Sequence, residues 1–347
     1  MANALISFMD LTKREGNDSA VGLLEDTITY APELGAIMGR PINGTTYKTC
    51  HRTLPTVAFR QPNNGSSTVK GTYRQVLHET AIIDAQLMAD KAVVDAEMRD
   101  GGEKADILID EADGVVRATY ITVGAQVWYG TGSDANGFQG VNVLTAASNA
   151  TGPTVNLNPA VLKAGGSTAN AQTSVYFIWE NIKGAHFIFG NNRGLDMLPE
   201  WRIQQVNGAN GLPLTAFVNN LQGWLGFAVN HPKSVARIAN INLTNDNSGL
   251  TDKLIAQLLS FLPIQMRQEI SASANVGAPT KWGPGLKMFM NTAAGYMLQQ
   301  SRSPVYSNGG SAITAADQLN FAKLPDFSNG VPIFYTDSIL NTEAVIS

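Results

Sequence analysis

Two consecutive stretches of the chain carry apolar residues at helical spacing. In residues 81–99 these are Ile83, Leu87, Val94 and Met98, with charged residues elsewhere around the helix. In residues 103–123 they are Leu108, Ala112, Val115 and Thr119, despite Gly114 at the centre. Gly101 and Gly102 lie between the two stretches and end the first. The pattern predicts two long helices in series, which make a rigid rod.

Strand-like patterning follows over residues 126–241, where short apolar runs are broken by Gly, Asn and Pro. The runs are residues 127–129, 175–179, 186–189 and 224–229. Residues 250–262 then repeat Leu at four-residue intervals up to Pro263, which predicts a core helix, and residues 292–302 predict another. Residues 330–343 are typical of a turn, a strand and a polar tip. We expect a sheet-bearing lobe separate from the rod.

The first residues of the chain predict an irregular arm followed by a polar hairpin. Residues 1–45 mix short apolar patches with Gly and Pro, which predicts an extended arm with one short helix. Residues 45–75 carry strand-like runs on both sides of the turn-rich segment 62–67. This hairpin has too few large apolar residues for a core of its own, and isolated hairpins are marginally stable in water. We therefore expect it to gain order by lying on another surface.

Composition and charge favour an assembling protein over a tight nucleic-acid binder. Charged residues make up 15% of the chain, below the roughly 25% of ordinary soluble proteins. A lightly charged surface repels identical copies little, so that many can pack closely. The 24 Lys and Arg residues against 28 Asp and Glu give a net charge of −4, which argues against dense phosphate neutralisation. The 347 residues suffice for two lobes that each bury a core.

No arrangement of reactive side chains in the sequence indicates catalysis. The single cysteine, Cys50, excludes an internal disulfide framework, and with four scattered histidines it cannot complete a four-ligand zinc motif. Cys50 and His51 would point to opposite faces of an alternating strand. His186 and His231 have no acidic or cysteine partner at a recognised spacing. We therefore predict no catalytic residue, no metal site and no cofactor.

Three further stretches have some features of a ligand site, but none of them predicts a ligand site. Carboxylates of the second helix could share a face for acid–base or calcium chemistry, although a solvated face or an inner surface facing DNA explains them better. They are Asp106, Asp110, Glu111 and Asp113. A calcium loop starting at Asp134 would need an acidic twelfth residue, and that residue is Thr145. Residues 184–194 lack the Lys-Ser/Thr ending of a phosphate-binding loop.

Short motifs occur along the chain in an order that resembles one family. They are residues 43–47 (Asn-Gly-Thr-Thr-Tyr), 54–60 (Leu-Pro-Thr-Val-Ala-Phe-Arg), 128–130 with 138–140, 174–179, 237–241, 331–333 and 336–343. With the order of arm, hairpin, long helix, sheet lobe and terminal strand, they resemble the Hong Kong 97-type capsid proteins of tailed bacteriophages. The motifs are most similar to those of short-tailed Salmonella phages of the epsilon-fifteen type. The resemblance covers nearly the whole chain and rests on the order and spacing of the motifs.

The resemblance implies an α+β fold with a defined division of the chain. The expected parts are an N-terminal arm (1–44), an E-loop hairpin (45–76), a P domain with a long spine helix (77–125), an A domain with a central β-sheet flanked by helices (126–302), and a return to the P domain with a C-terminal strand (303–347). The spine helix would begin near Ile82, with the hairpin base and residues 333–335 beside it. The A domain would surround the centres of hexamers and pentamers.

The resemblance also implies a structural role without enzymatic activity. The chain would be a major capsid protein that assembles with itself into hexamers and pentamers, forming an icosahedral head around double-stranded DNA without sequence-specific binding. A scaffolding protein, a portal and a decoration protein would be its partners. No signal peptide or membrane anchor is predicted from the first residues, so assembly in the host bacterial cytoplasm and a final place in the virion are expected. The alternatives are an encapsulin-type compartment shell, which shares the fold, and a β-rich carbohydrate-active enzyme, which lacks a credible carboxylate pair.

Two sets of site residues follow from the resemblance. In this family the hairpin lies across a neighbouring subunit, so its cations are candidate inter-subunit contacts. They are Lys48, Arg52, Arg60, Lys70 and Arg74. Glycines near the expected lobe boundaries are candidate hinges, although ordinary helix termination explains them equally. They are Gly71, Gly101, Gly102 and Gly124. Lys48 and Lys70 match no cross-linking motif, so no covalent cross-link is predicted.

Overall fold

A computed structural model describes most of the chain. The described residues are 29–97, 104–131, 136–146, 160–197, 200–208, 211–243, 249–266, 285–302 and 324–346. The helices are α1 (Glu33–Ala36), α2 (Lys91–Glu97), α3 (Lys104–Tyr129), α4 (Val141–Leu144), α5 (Asp252–Phe261) and α6 (Thr292–Ser301). The strands are β1 (Gly39–Pro41), β2 (Thr46–Thr53), β3 (Thr72–Glu79), β4 (Ala81–Asp90), β5 (Ala160–Lys163), β6 (Gln172–Glu180), β7 (Ala185–Phe189), β8 (Asp196–Met197), β9 (Arg202–Asn207), β10 (Pro213–Val229), β11 (Val235–Asn242), β12 (Gly285–Met290), β13 (Phe327–Ser328) and β14 (Val331–Tyr335).

One long strand, β10, connects the two parts of a mixed sheet. Within the described residues, β1 and β4 to β14 form a 12-stranded sheet whose main order is β13-β14-β12-β6-β7-β10-β4. The first part of β10 lies between β4 and β9, and both of these strands pair with it antiparallel. Its last residues pair with β7. β2 and β3 form a separate two-stranded hairpin. β10 therefore ties β4, the strand that follows the hairpin, to the central strands.

Alternating side chains of the central strands fill two cores, one on each face of the sheet. Val175 and Phe177 of β6 enter the core that lies under α5 and α6. Tyr176 and Ile178 of the same strand enter the other core, where they meet Trp128 of α3. All nine residues of β6 are buried, as expected for a strand covered on both faces. The predicted α+β class is confirmed, with helices on both sides of the sheet.

The helix predicted over residues 81–99 is wrong for most of its length. Residues Ala81–Asp90 form the strand β4, and the helix α2 covers only Lys91–Glu97. A four-residue spacing such as that of Ile83 and Leu87 fits both one helical turn and two strand repeats. Burial alternates along β4, with Leu87 buried and the neighbouring Gln86 exposed, and ten residues pair with β10. The pairing with β10 therefore decides between two patterns that the sequence allows.

The strand predicted at residues 127–129 is also wrong, because these residues complete the helix α3. The second predicted helix is confirmed, and it continues six residues beyond residue 123 to Tyr129. At 1.5 Å per residue, its 26 residues span about 39 Å. Val127 and Trp128 are fully buried, and a short apolar run does not distinguish the end of a buried helix from a strand. α3 thus serves as the long spine, and Gly114 is accommodated within it.

The remaining helices and strands lie close to their predicted positions. α5 begins after Thr251, whose side chain accepts a hydrogen bond from the first turn, and it ends ahead of Pro263. α6, the hairpin β2–β3 and the terminal strand β14 form where expected, and α1 is the short helix of the arm. The polar tip predicted after β14 is exposed at Asp337, Asn341 and Thr342, but its last residue, Glu343, is buried. Residues 1–28 lie outside the described residues.

The division of the chain into domains stays a prediction. β4 and β14, which the resemblance assigns to the P domain, belong to the same sheet as β6, β7 and β12. β14 pairs parallel with β12, with Phe334 opposite Phe289. In the described part of the chain, no helix combines the length and the apolar character that a membrane span requires.

Candidate assembly surface

The hairpin β2–β3 presents two faces of different character. Its strands pair from Thr46 opposite Glu79 to Thr53 opposite Thr72, so even-numbered residues of β2 share a face with odd-numbered residues of β3. This outward face is exposed along its length, and it carries Lys48, Cys50, Arg52, Tyr73 and Leu77. The inner face carries the partly buried Tyr47. An exposed face that mixes cations with aromatic and aliphatic side chains is suited to a protein–protein contact.

The five predicted cations of the hairpin are all exposed, but they lie in three places. Lys48 and Arg52 share the outward face. Arg74 lies opposite His51 on the inner face. Arg60 and Lys70 belong to the segment that connects the two strands, where the Arg60 side chain donates a hydrogen bond to a backbone carbonyl oxygen. The role of these cations in contacts between subunits stays a prediction.

Exposed apolar residues of the connecting segment were not among the predicted site residues. Leu54 and Val57 are 71% and 78% exposed, Phe59 is fully exposed and Val69 is half exposed. Large apolar side chains grouped in solvent mark a surface that another molecule covers. The signal was available in the sequence, because Leu54, Val57 and Phe59 stand close together beside a segment rich in turn residues. The connecting segment is therefore part of the candidate surface.

The hairpin is electropositive in a chain of negative net charge. Residues 45–79 contain five Lys and Arg residues, and Glu79 is their only carboxylate, whereas the whole chain carries −4. A positive hairpin is attracted to the negative remainder of another copy at distances up to roughly 10 Å in 0.1 M salt. Charge complementarity of this kind steers association and selects one orientation. The charge distribution favours docking of the hairpin on a second copy.

The predicted hinge glycines lie in three different settings. Gly71 directly precedes β3, and a Cβ atom there would lie 3.1 Å from the carbonyl oxygen of Thr53. The pair 101–102 lies outside the described residues. Gly124 lies inside α3, where a Cβ atom would lie 2.4 Å from Ser338 Oγ. Gly124 is thus a point of close contact between α3 and the C-terminal segment. The hinge role of all four glycines stays a prediction.

A buried ion pair fastens the C-terminal segment to the sheet. Arg237 of β11 donates from Nη2 to Glu343 Oε2 at 2.8 Å, and both side chains are almost completely buried. The hydroxyl of Ser174 donates to the same carboxylate, as do those of Tyr129 at 2.6 Å and Tyr176 at 3.1 Å. Burial raises the pKa of both tyrosines, so they remain protonated donors. The cluster joins α3, β6, β11 and the chain end.

The segment around α1 is held by two further buried groups. Glu33 is fully buried and accepts hydrogen bonds from Trp128 Nε1 at 2.7 Å and from the Thr336 hydroxyl. Burial raises the pKa of Glu33, and these hydrogen bonds oppose the rise only in part. Lys287 is also buried, pairs with Glu180 and donates to a carbonyl oxygen of α1. These contacts hold α1 against α3, β12 and the segment that follows β14.

The acidic face predicted on the second helix is solvated where it is described. Glu111 and Asp113 of α3 are exposed, and Asp113 pairs with Arg117 Nη2 at 2.9 Å. Asp134 and the side chain of Asp106 lie outside the described residues. In the described part of the chain, no three His, Cys, Asp or Glu side chains are grouped so that they could hold a metal ion.

The chain matches one protein family over most of its length. The family model described as major capsid protein GP7 matches residues 38–347. The fold is similar to the structure of Bacteriophage Epsilon15, with a TM-score of 0.68 and 20% sequence identity, covering 100% of this chain and 98% of that chain. No curated protein matches the chain in sequence.

Two other structures are much more distant in fold. A structure from Mycobacterium phage Adephagia has a TM-score of 0.44 and 12% identity, covering 67% of this chain and 97% of that chain. The encapsulin complex from Synechococcus elongatus has a TM-score of 0.42 and 9% identity, covering 70% of this chain and 98% of that chain. Neither likeness is close enough to bear on function.

A sheet covered by a long spine helix on one face, with a hairpin leading into its edge strand, is the Hong Kong 97-type fold of phage capsid proteins. The chain belongs to the family of major capsid proteins described as GP7. It is therefore a phage major capsid protein, a virion component whose copies assemble into a capsid shell. The resemblance seen in the short motifs is confirmed, and the encapsulin alternative has only a distant structural likeness.

Proposed function

We propose that the chain forms the icosahedral head of a tailed bacteriophage, as hexamers and pentamers that enclose double-stranded DNA. The observation that carries the proposal is the surface of the hairpin. Its outward face and connecting segment expose cations together with large apolar side chains, among them Arg52, Leu54 and Phe59. When another molecule covers exposed apolar surface of this kind, the complex is stabilised by roughly 25 cal/mol for each Å² removed from water. A neighbouring copy of the same chain is the molecule that covers it.

The hairpin of each copy lies across the next copy and thereby links subunits in one direction around a ring. Such head-to-tail contacts close into rings when the rotation between copies fits five or six members. Each contact is worth only a few kcal/mol, so misplaced subunits dissociate. In a finished shell every subunit has several neighbours, and their contributions combine as in multivalent binding. The shell is stable although each contact is weak.

The remaining expectations concern the contents and partners of the shell. The net charge of −4 argues against tight DNA binding and is compatible with enclosure of DNA without sequence-specific contacts. Scaffolding, portal and decoration proteins act as further partners during assembly in the host bacterial cytoplasm. The role is structural, with no catalytic residue, no cofactor and no membrane contact. The hairpin 45–76 acts as the E-loop, residues 77–125 and 303–347 form the P domain, and residues 126–302 form the A domain.

Electron microscopy of the purified full chain tests this proposal, combined with size-exclusion chromatography over a range of concentrations. We expect closed shells, or rings of five and six subunits, that form in larger yield as the concentration rises. The scaffolding protein of the same phage is added in a parallel series. A monomer that persists at every concentration, with and without this scaffolding protein, contradicts the proposal.

A further inference from the structure

All four histidines of the chain lie at the contact between the hairpin and the sheet. His51 and His78 lie on the inner face of the hairpin, His186 lies on β7, and His231 lies in the turn after β10. His186 is fully buried, and the other three are partly buried. We call these four residues the histidine joint. A contact between two parts of one subunit therefore contains every side chain of the protein whose ordinary pKa lies near 6.5.

Tyr47 of β2 is the central side chain of the histidine joint. Its ring stacks on His78 with 6.2 Å between centroids, and it meets His186 edge-on at 5.7 Å. Asn230 Nδ2 donates to the Tyr47 hydroxyl at 3.4 Å. The Arg40 guanidinium lies 5.6 Å from the centre of the same ring. Aromatic packing thus fastens the base of the hairpin to β1, β7 and the end of β10.

The surroundings of the buried imidazoles favour their neutral form. Within the described residues, the backbone of Asn181 lies near His186, but neither ring nitrogen makes a hydrogen bond of ordinary geometry, and Nε2 of His78 is buried without a partner. Nδ1 of His231 accepts a hydrogen bond from the backbone N–H of Lys233 at 3.1 Å, so it carries no proton. A proton added to His186 would bring a charge into a fully buried site, where, among the described residues, only the backbone of Asn181 favours the charged ring.

The charged groups that act on the joint are positive. Arg40 faces His186, Arg74 lies opposite His51, and Lys233 follows His231 in the turn. Burial lowers the pKa of His186 to about 4. The backbone of Asn181 opposes this in part, and Arg40 and His78 lower the pKa further. Burial also lowers the pKa of His78 and of His231. The nearby His51 lowers the pKa of His78 further, and Lys233 lowers that of His231 further. The carboxylate of the hairpin, Glu79, belongs to the outward face and does not neutralise them.

We propose that the histidine joint is an acid-sensitive latch, which holds the hairpin on its own sheet at neutral pH and releases it when the imidazoles gain protons. The latch is a property of the single subunit. Only its consequence rests on the proposed function, because a released hairpin can change its angle to the neighbouring copy. Acid then alters the shell through the orientation of the hairpins, without unfolding the sheet.

The direction of the pH effect follows from the two pKa values of His186. In the released joint the ring has its ordinary pKa of 6.5, and in the closed joint the pKa is about 4. The released form therefore binds more protons between these values, and the closed form is favoured fully above pH 6.5. As the pH falls towards 4, His186 alone shifts the ratio of closed to released form on the order of a hundredfold.

The distance between the hairpin and the sheet measures the latch directly. Cys50 is the single cysteine and is exposed on the hairpin, so one nitroxide label attaches there without mutation. A second label is attached at Ile182→Cys, an exposed and uncharged position in the turn before β7. Double electron–electron resonance measures the distance distribution between the two labels on unassembled subunits from pH 7.5 to 4.5. Far-ultraviolet circular dichroism at each pH reports whether the sheet stays folded.

We expect a narrow distance distribution at pH 7.5 that broadens towards longer distances below about pH 5, with the circular dichroism unchanged. His186→Phe keeps an aromatic ring against Tyr47 but cannot gain a proton, so it should retain the narrow distribution. His78→Phe serves in the same way where His186→Phe does not fold. Glu79→Gln is the matched control, since it removes a carboxylate from the outward face, and it should behave as the unmodified chain.

Two results overturn the latch. One is a distribution that stays narrow down to pH 4.5 in the unmodified chain. The other is a change in the His186→Phe variant equal to that of the unmodified chain, because the histidine is then not its cause. Neither result depends on whether the protein assembles, so the latch and the proposed shell function fail separately.

Discussion

Arg237 and Glu343 are 106 residues apart in the chain and form a buried ion pair, with 2.8 Å between Nη2 and Oε2. The guanidinium also donates to Ser174 Oγ and Asn142 Oδ1, and it lies 5.2 Å from the centre of the Tyr176 ring. The pair therefore has the additional hydrogen bonds that compensate for removing two charges from water. It holds the end of the chain against the central strands.

Removal of one partner of this pair is expected to destabilise the subunit strongly. Glu343→Ala leaves the Arg237 charge buried without its carboxylate, and the free energy of unfolding should fall by about 3–5 kcal/mol. Urea unfolding of unassembled subunits measures the change. The control is Asp113→Ala, which breaks the exposed pair with Arg117 and should cost about 0.5 kcal/mol or less. Equal losses of unfolding free energy in the two variants would show that the buried ion pair contributes no more to stability than the exposed one.

Two glycines of the same helix should respond in opposite ways to alanine. At Gly124 a Cβ atom would lie 2.4 Å from Ser338 Oγ and 2.9 Å from Glu33 Oε2, so Gly124→Ala should destabilise the fold by about 1–3 kcal/mol. At Gly114 nothing lies within 4 Å of the Cβ position. Gly114→Ala should therefore stabilise α3 by about 0.5–1 kcal/mol. Thermal unfolding of both variants tests the contrast, and a stabilised Gly124→Ala variant would contradict the close packing.

Glu33 should make the subunit less stable as the pH rises above the ordinary carboxyl range. Burial raises the pKa of Glu33 above its usual 4.5, so the folded state binds more protons than the unfolded state. The stabilisation is complete below pH 4.5 and is lost as the pH rises through the raised value. Glu33→Gln removes this titration and keeps an oxygen that accepts from Trp128. The difference in urea midpoint between variant and unmodified chain should change with pH between 4 and 7, and a constant difference would contradict the prediction.

The outward face of the hairpin should control assembly and not folding. Arg52→Glu reverses a charge on this face, and its exposure predicts an unfolding free energy within about 0.5 kcal/mol of the unmodified chain. The concentration needed for assembly should rise at least about tenfold, since each subunit makes the contact repeatedly. Lys253→Glu on α5 is the matched reversal outside the hairpin. Light scattering during assembly measures both, and an equal effect of the two reversals would remove the hairpin from the contact.

Elements whose pattern fits a single structure could be predicted from the sequence. The helices α5 and α6 have helical spacing and a capping residue each, Thr251 and Asn291, and the hairpin has a marked turn segment. The stretch from Ala81 to Asp90 could not be assigned, because a spacing of four residues suits a helix and a strand equally. Pairing with β10, more than 120 residues later, settles it. Trp128 was placed in a strand for a different reason, since the apolar run 127–129 is too short to show a period.

The candidate surface could be predicted only in part. The cations of the hairpin are visible in the sequence, but their division between two faces depends on the register that sets Arg74 opposite His51. The exposure of Phe59 could not be predicted, because it depends on whether another part of the folded subunit packs over this side chain. The meeting of the four histidines depends on contacts between β2, β3, β7 and the turn after β10, which are far apart in the chain. Local periodicity contains no information about such contacts.

A three-dimensional reconstruction of the assembled particle by electron cryomicroscopy tests the central claim most directly. We predict a closed shell of rings of five and six, in which the hairpin of each copy lies on the adjacent copy with Lys48, Arg52 and Phe59 in the contact. A shell in which the hairpins lie free in solvent, or in which the subunits form no rings of five and six, would contradict the account.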